Sequence, residues 1–453
     1  MAITRRQFVT RMGALAGAMG LGQADISRLS EALAYNAGWQ GALGKPRVVW
    51  IHGAECTGCS TSLLSFYEAG DGIAVEGTSI KTADALTLAG FFDNADGNAA
   101  TRVAAHNVFG SVEQDANAWN IADVVVEIVD LEYHETVMAM GGDLAYQWLA
   151  DFKANNTKPF ILVVEGALQK KTNTGAWTDT GTAVSWCSIG MNDAGTLEHD
   201  TAEMVAALAV KPSCAAIIGI GQCATFGGYP GCKAPISAAT AGFNSALSQT
   251  GAVGTEDFLK SFGGASPEFA AAAKVVNVPG CPTNPWWFCL TVVLLMVEYE
   301  QGVWKGVDGP LGILTSTGAI KGTAVDGTRR LKAVYGTPVH GPACPRYEDY
   351  VYSRFALKPG EPGCLQKIGC KGPYTKSLCG LHGWNAMQPE NQSKSAGAVG
   401  LTSASDYDLA TSIYPIVGGK KNSRGSHCTS AGHPCMACTE KGYPDSFVPF
   451  VVR

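Results

Sequence analysis

The stretch that decides the fold is "RVVWIHGAECTGCSTSLL", residues 47–64. Its beginning, "RVVWI", is an apolar run without alternation, which is typical of a strand buried on both faces of a sheet. Its end, "STSLL", begins a helix-like pattern. Cys56 and Cys59 stand at the junction, where the strand leads into the helix. Taken alone, this pair is compatible with a disulfide, a zinc ion, a redox pair or an iron–sulfur cluster.

The alternation of strand and helix extends from about residue 46 to residue 300. Helix-like patterns such as "HETVMAMGGDLAYQWLADF" (134–152) and "TAEMVAALAV" (201–210) separate further apolar runs. Apolar strands that alternate with helices indicate a parallel sheet covered on both faces. In such sheets, ligands bind at the carboxyl ends of the strands. The further predicted strands are "DVVVEIV" (123–129), "FILVVEG" (160–166), "AAIIGIG" (215–221) and "KVVNVPG" (274–280).

The composition is that of a globular protein with more than one domain. The chain has 453 residues, of which 46% are hydrophobic and 16% charged, enough for a large buried core. A formal charge of −6, with no block of lysine or arginine, excludes a general nucleic-acid binder. We expect a domain boundary near 305–335, where turns and glycines begin to dominate, and an insertion of low apolar density at 85–120.

The N-terminus, "MAITRRQFVTRMGALAGAMGLG", resembles a twin-arginine export signal, because Arg5 and Arg6 precede a weakly apolar stretch. We assign residues 1–34 to this signal, with "ALA" (32–34) as the candidate cleavage site. The most apolar later run, "WWFCLTVVLLMVEYE" (286–300), is shorter than the ~20 residues of a membrane span and is expected to be a core helix. We therefore expect a protein of the periplasm or of the outer face of the cytoplasmic membrane, without an anchor of its own.

Fifteen cysteines are the most informative feature of the composition. Four of them follow predicted strands directly, and the carboxyl ends of parallel strands meet at one edge of a sheet. We expect these four to converge into an all-cysteine site, which suits zinc or an iron–sulfur cluster. The four are Cys56, Cys59, Cys223 and Cys281.

The C-terminal region carries further cysteines in "VHGPACPRY" (339–347), "GCLQKIGCKGPYTKSLC" (363–379) and "SHCTSAGHPCMAC" (426–438). The contiguous C-x2-C-x2-C-x3-C run of bacterial ferredoxins is absent. The spacing instead allows two more sets of four ligands. One set is His340, Cys344, Cys364 and Cys370, and the other is Cys379, Cys428, Cys435 and Cys438.

Seven motifs in this order, behind the export signal, carry a resemblance. Together they resemble the small subunit of membrane-bound or periplasmic nickel–iron uptake hydrogenases, from the signal to about residue 447, except for 85–120 and parts of 240–270 and 385–425. The motifs are "ECTGCS", "LEYHETVMA", "VVEGAL", "GQCATFGG", "VPGCPTNP", "GCKGP" and "AGHPCMAC".

The resemblance implies a flavodoxin-like domain at 46–305 and an irregular, cysteine-rich iron–sulfur domain at 335–453. Hydrogen would be split at the nickel–iron site of a large subunit, so this chain would carry no catalytic residue. It would pass electrons through three iron–sulfur clusters to an external acceptor, such as a cytochrome or another subunit.

By motif, the resemblance also implies which residues bind each cluster. Many relatives carry proline where Cys428 stands and have a three-iron medial cluster, so Cys428 predicts three [4Fe–4S] clusters here. The medial cluster would be [3Fe–4S] if Cys428 were not a ligand. Three residues separate His340 from Cys344, where the family usually has two. The proximal set is Cys56, Cys59, Cys223 and Cys281, the medial set Cys379, Cys428, Cys435 and Cys438, and the distal set His340, Cys344, Cys364 and Cys370.

Two alternatives remain open at this point. The iron–sulfur subunit of quinone-reducing complexes shares the N-terminal module but lacks the cysteine-rich tail. An exported binding protein stabilised by zinc or disulfides would have no redox role, and it would be colourless where clusters are brown. Four cysteines are left over from the ligand sets: Cys214 and Cys289 sit in apolar runs and are expected to be core thiols, and Cys187 and Cys232 have no assigned role.

Overall fold

The protein is described here by a computed structural model. The export signal expected at 1–34 lies outside the described residues, as do most of the insertion expected at 85–120 and of the strand predicted at 123–129. The described residues are 47–64, 67–68, 119–120, 129–170, 185–191, 198–232, 250–336, 338–341, 344, 346–359, 361–377, 379, 428–429 and 432–451.

Five parallel strands form the central sheet, and in spatial order they are β4 (Asp130–His134), β1 (Arg47–His52), β5 (Phe160–Glu165), β8 (Cys214–Ile220) and β9 (Val275–Val278). Counted along the chain, the order of these five strands is second, first, third, fourth, fifth, which is the flavodoxin-like arrangement. Two short antiparallel pairs, β2 with β3 and β6 with β7, lie outside the sheet. The strands are β1 Arg47–His52, β2 Tyr67–Glu68, β3 Trp119–Asn120, β4 Asp130–His134, β5 Phe160–Glu165, β6 Ser188–Met191, β7 Glu198–Asp200, β8 Cys214–Ile220 and β9 Val275–Val278.

The continuous apolar runs are buried along their whole length, as predicted for strands covered on both faces. Every residue of β5, β8 and β9 is buried. β1 pairs with β5 without a register shift, so His52 lies opposite Glu165 where both strands end. The ends of the two strands are therefore level at the edge that carries the first cysteine pair.

The helices agree with the predicted pattern except at one start. The helix expected over 134–152 begins only at Gly142, because His134 ends β4 and a turn follows it. The helix after Asp200 is capped by that side chain, which accepts a hydrogen bond from the backbone N–H of Glu203 at 2.8 Å. The helices are α1 Gly58–Leu64, α2 Gly142–Asn155, α3 Thr201–Ala209, α4 Gly221–Phe226, α5 Thr255–Lys260, α6 Pro267–Ala271, α7 Pro285–Gln301, α8 Lys332–Tyr335 and α9 Tyr347–Val351, with 3₁₀ turns at Ala272–Lys274, Val303–Lys305, Leu365–Ile368 and Asp445–Phe447.

Two apolar cores lie against the two faces of the sheet. Side chains alternate along β1, so Trp50 belongs to one core and Ile51 to the other. The core of Trp50 contains most of α7, which confirms that 286–300 form a core helix. Leu314, Leu331 and other residues within 313–335 pack into this same core. The segment where we expect the domain boundary thus packs on the sheet.

Within the described ranges, every helix falls short of the length and hydropathy that a membrane span requires.

Candidate metal centres

The proximal set lies where β1, β8 and β9 end. Cys56 and Cys59 flank the start of α1, Cys223 lies in α4 directly after β8, and Cys281 lies three residues after β9. Burial, together with the neighbouring thiols of Cys281 and Cys56, raises the pKa of Cys223 to about 12. Burial likewise raises the pKa of Cys59, and the nearby Cys223 contributes to this rise. The strand ends thus bring all four cysteines together.

Close backbone approach shapes the space around these sulfurs. Gly221 has a φ of 81°, and a Cβ atom there would lie 2.5 Å from Sγ of Cys59. A Cβ atom at Gly228 would lie 2.8 Å from Sγ of Cys223. Both glycines form a cradle that a side chain would fill. The backbone N–H of Thr283 also points at Sγ of Cys59, at 3.4 Å.

A buried carboxylate holds the first cysteine pair to the sheet. Glu165, the last residue of β5, accepts hydrogen bonds at Oε1 from the backbone N–H groups of Cys59 at 3.0 Å and Ser60 at 3.1 Å. Its Oε2 accepts from Oγ of Ser60 at 2.5 Å and from Nε1 of Trp50 at 3.0 Å. Four donors therefore converge on one side chain, which fixes the start of α1. Glu165 was not predicted from the sequence, although an acid that ends an otherwise apolar strand is a detectable signal.

The hydrogen-bond network continues from Ser60 to His134. Burial, together with the nearby His52, lowers the pKa of His134 to about 3, so the imidazole is neutral. Its Nδ1 accepts from the backbone N–H of Thr136 at 3.2 Å, which leaves the proton on Nε2. Nε2 then donates to Oγ of Ser60 at 3.2 Å. His134 thus orients the hydroxyl that Glu165 binds.

The medial set is assembled from two segments, one at Cys379 and one at 428–438. Burial raises the pKa of Cys438 well above its usual value, and the neighbouring Cys379, Cys428 and Cys435 thiols contribute to the rise. Burial, followed by the effect of Cys379, raises the pKa of Cys428 to about 12. The structure brings the four cysteines together, although 380–427 lie outside the described residues.

The distal set lies on the other side of the medial set. Burial raises the pKa of Cys344 to about 11, and nearby Cys370 and Cys364 contribute to the rise. Sγ of Cys370 and Cβ of His340 both lie 3.5 Å from the position that a Cβ atom would take at Gly372. Burial lowers the pKa of His340, which favours the neutral imidazole that binds metals. His340 therefore lies near Cys370, which is itself close to Cys344 and Cys364.

The three sets follow one another through direct contacts. The side-chain amide Nε2 of Gln222, next to Cys223 of the proximal set, donates to the carbonyl oxygen of Glu440, two residues after Cys438 of the medial set, at 2.8 Å. The backbone N–H of Cys435 in the medial set donates to Sγ of Cys370 in the distal set at 3.3 Å. Tyr335 fills the space between the first two sets, and its hydroxyl donates to the carbonyl oxygen of Pro279 at 2.8 Å. The medial set is thus the middle member of the series.

Two buried arginines, which were not predicted from the sequence either, tie the C-terminal segments to their surroundings. Arg330 forms ion pairs of 2.8 Å with Asp326 and Glu440 and donates to the carbonyl oxygen of Thr439 at 2.8 Å. It therefore anchors the residues after Cys438 to the sheet domain. Arg346 binds carbonyl oxygens on both sides of the boundary between the distal and medial sets. No local pattern in the sequence distinguishes Arg330 from an ordinary surface arginine.

The chemistry of the three sets fits a bound metal cluster. For the buried cysteines among them, such as Cys59, Cys435 and Cys438, burial penalises the charged thiolate and raises the pKa, so binding of a metal has to release their protons. Backbone N–H groups and glycine cradles already face several of the sulfurs. Among the described residues, no three His, Cys, Asp or Glu side chains could hold a single metal ion. Thiolates that bind different irons of a cluster stand further apart than the ligands of one ion.

The four remaining cysteines include two that were expected to be core thiols, and the structure agrees with this expectation. Cys214 lies at the start of β8 and Cys289 in α7, and both are buried in the cores. Cys187 and Cys232 are half-buried.

Comparison with known proteins matches the two parts of the chain to two different families. Residues 110–295 match the family described as NADH ubiquinone oxidoreductase, 20 Kd subunit. Residues 335–408 match the family of the C-terminal region of the NiFe/NiFeSe hydrogenase small subunit. The first match alone would fit the quinone-reducing alternative, whereas the second covers the first part of the cysteine-rich tail, residues 335–408, which this alternative lacks.

Individual relatives agree with the second match. The chain is 26% identical over 386 residues to the periplasmic [NiFeSe] hydrogenase small subunit of Desulfomicrobium baculatum, covering 85% of this chain and 90% of the relative. It is 24% identical to the periplasmic [NiFe] hydrogenase small subunit 1 of Nitratidesulfovibrio vulgaris, covering 99% of this chain and 93% of the relative.

Solved structures share the fold. The [NiFeSe] hydrogenase from Desulfovibrio vulgaris Hildenborough superposes with a TM-score of 0.53 at 22% identity, covering 90% of this chain and 98% of that chain. The Ni-Fe-Se hydrogenase from Desulfomicrobium baculatum gives a TM-score of 0.53 at 24% identity, covering 90% and 99%. The ordered motifs, the matched C-terminal region and these relatives agree that the chain is similar to the small subunits of nickel–iron hydrogenases.

Proposed function

We propose that this chain relays electrons from the nickel–iron site of a hydrogenase large subunit, where hydrogen is oxidised, through three [4Fe–4S] clusters to an external acceptor. The observation that carries the proposal is the series of three contiguous ligand sets. Two hydrogen bonds connect them, from Gln222 beside Cys223 to the carbonyl oxygen of Glu440 shortly after Cys438, and from the backbone N–H of Cys435 to the sulfur of Cys370. Contiguity matters because electron transfer between clusters requires short distances.

The proposed ligands are the twelve residues predicted from the sequence. When bound, the clusters supply one-electron carriers whose potentials depend on ligand type, hydrogen bonds to sulfur and exposure. The protein supplies thiolates, one imidazole at His340, and N–H donors such as that of Thr283. A neutral imidazole in place of a thiolate removes one negative charge from the distal cluster, which favours its reduced form and suits the last carrier.

The surface at each end supports this direction. The large subunit is proposed to cover the sheet edge beside the proximal set, where the apolar side chains of Leu64, Val137 and Leu144 are 46%, 46% and 63% exposed. Exposed apolar surface of this kind is typical of a subunit interface. At the other end, the exposed Tyr350 packs on His340, with ring centroids 4.4 Å apart. An acceptor bound there would be next to the distal cluster.

The location of the protein follows from the predicted signal. We propose export by the twin-arginine route to the periplasm, or to the outer face of the cytoplasmic membrane, as a complex with the large subunit. Relatives named as periplasmic hydrogenase small subunits support this location.

The decisive experiment addresses the medial cluster, because Cys428 distinguishes four irons from three. The complex is purified with its large subunit, as wild type and as Cys428→Pro, and oxidised samples are compared by electron paramagnetic resonance. Wild type should lack the signal of an oxidised three-iron cluster, because four thiolates hold four irons. The variant should gain this signal, because proline offers no sulfur.

Two results would contradict the proposal at different levels. A strong three-iron signal in wild type that the substitution leaves unchanged would remove Cys428 from the ligands but leave the relay intact. A colourless protein that contains zinc or disulfides, and no iron, would contradict the relay itself and favour the exported binding protein.

A further inference from the structure

Arg346 joins three segments that each carry a proposed ligand. It lies two residues after Cys344 in the chain. Its Nε donates to the carbonyl oxygen of Thr429 at 2.8 Å, directly after Cys428. Its Nη1 donates to the carbonyl oxygen of Gly363 at 2.6 Å, directly before Cys364. One side chain therefore links the distal set to the medial set.

The guanidinium group is deeply buried at this junction. Arg346 is 5% exposed, and its positive charge acts on Cys364, where it opposes the larger effect of burial on the thiol pKa. Thr429 adds a second link, since its Oγ1 lies 3.9 Å from Sγ of Cys344. The charge of Arg346 thus lies close to ligands of the distal set, while its side chain binds the segment that carries Cys428 of the medial set.

Only arginine fits both tasks. Its planar fork presents N–H groups in fixed, diverging directions, so it can bind two carbonyl oxygens on different segments at once. A lysine would keep the charge, but its single ammonium group has no such fixed fork. Burial of the cation is offset by hydrogen bonds to backbone carbonyls, which would themselves be left unpaired without it.

We infer that Arg346 is a positioning residue that fixes the segment of Cys428 against the segments of Cys344 and Cys364, and that its charge raises the potentials of the medial and distal clusters together. The inference rests on the proposed function, because it assumes clusters at both sets. A positive charge stabilises the more negative, reduced form of a cluster, which gives the direction of the effect. Substitution can separate the two roles of Arg346, because lysine keeps the positive charge without the planar fork and glutamine removes the charge.

The test uses the purified complex with its large subunit in four forms: wild type, Arg346→Gln, Arg346→Lys and Arg354→Gln. Arg354 is the matched control, because it pairs with Asp349 at 2.9 Å and its side chain is 39% exposed. Iron content is measured, and redox titrations are followed by electron paramagnetic resonance. Arg346→Gln should shift the medial and distal potentials to more negative values and leave the proximal one unchanged.

Arg346→Lys isolates the fork. It should keep both potentials near those of wild type, yet gain a three-iron medial signal on oxidation, because the Cys428 segment is no longer held. Arg354→Gln should show neither change. If Arg346→Gln behaves like Arg354→Gln, or if Arg346→Lys resists oxidation as wild type does, the inference is overturned. Should Arg346→Gln fail to assemble, the lysine variant decides alone, and a wild type without iron would contradict the proposed function instead.

Discussion

The ligands of the proximal set lie where strands of one sheet end, whereas those of the medial and distal sets lie on segments with little regular structure. In the first case the hydrogen bonds of the sheet hold the ligands at one edge. In the second case buried polar side chains such as Arg330 replace the sheet. Similar cysteine sets can thus be positioned by backbone or by side chains, and the two kinds should fail in different ways.

The largest effect is expected where the backbone itself forms the cradle. Gly221→Ala would place a Cβ atom 2.5 Å from Sγ of Cys59, at a φ of 81°. We expect loss of the proximal cluster and of activity, because neither the sheet nor the sulfur can move away. Iron content and the spectrum of the proximal cluster measure this.

Gly251→Ala is the matched control for Gly221→Ala. Gly251 has a φ of 68° but no atom within 4 Å of its Cβ position. It should therefore show only the backbone strain, about 1–2 kcal/mol for a left-handed residue. Equal behaviour of the two variants would mean that the sulfur contact is unimportant.

The second effect concerns the side chains that replace the sheet. Arg330→Gln leaves the carboxylates of Asp326 and Glu440 without their buried partner, a loss of about 3–5 kcal/mol. The medial cluster should be lost preferentially, because Arg330 holds the residues after Cys438, while the proximal cluster remains. Melting temperature and the cluster signals in the complex report this difference.

An exposed ion pair provides the control for Arg330. Lys321 pairs with Asp308, whose side chain is 57% exposed, at 2.8 Å. Lys321→Gln should change stability little, because water screens the attraction between exposed charges. Simultaneous loss of the proximal and medial clusters in Arg330→Gln would contradict the idea that the two regions fail separately.

The sheet domain and the C-terminal region also differ in how much of their structure the sequence predicts. The apolar runs of β5, β8 and β9 were located almost to the residue, because a strand covered on both faces leaves an unbroken apolar pattern. Convergence of the first cysteine set followed from that sheet. The start of α2 was predicted too early, because the residues after His134 look helical but form a turn.

The C-terminal region was less predictable for a physical reason. Its ligands could be listed from spacing and resemblance, but no periodic pattern tells which side chains hold them. Arg330 and Glu440 are 110 positions apart in the chain, and Glu165 and Ser60 are 105 apart. Such contacts depend on the completed fold, so local sequence contains no sign of them.

A smaller effect is expected at Glu165, which binds the backbone of the segment that carries Cys59 of the proximal set. Glu165→Gln replaces one acceptor oxygen by an NH₂ group, which donates. If Oε1 is replaced, the backbone N–H groups of Cys59 and Ser60 lose their acceptor. If Oε2 is replaced, the side chains of Ser60 and Trp50 lose theirs. We expect a loss of about 1.5–3 kcal/mol. The proximal potential should also rise, since a negative charge near Cys59 disappears, and a redox titration measures this rise.

Glu132→Gln is the control for Glu165, because it removes a partly exposed carboxylate from the neighbouring β4, where Glu132 pairs with Arg47 at 3.0 Å. It should leave the proximal potential unchanged. A proximal potential that is equal in both variants would show that the hydrogen bonds of Glu165 support the fold without acting on the cluster.

The smallest effect tests whether a single side chain changes the redox potential of the medial cluster, whose ligands lie on segments with little regular structure. Oγ of Ser377 lies 2.9 Å from Sγ of Cys379, and with Cys379 bound as a thiolate only the hydroxyl can donate. A hydrogen bond to sulfur stabilises the reduced cluster, so Ser377→Ala should lower the medial potential while stability falls by only about 0.5–1.5 kcal/mol. The distal and proximal potentials should stay constant. Ser261→Ala, which removes a hydroxyl bonded to the carbonyl oxygen of Phe258 at 2.6 Å, is the control for stability alone. If both serine variants leave the medial potential at its wild-type value, the loop side chains only hold the ligands, and tuning of this cluster has to come from its thiolates and backbone N–H groups.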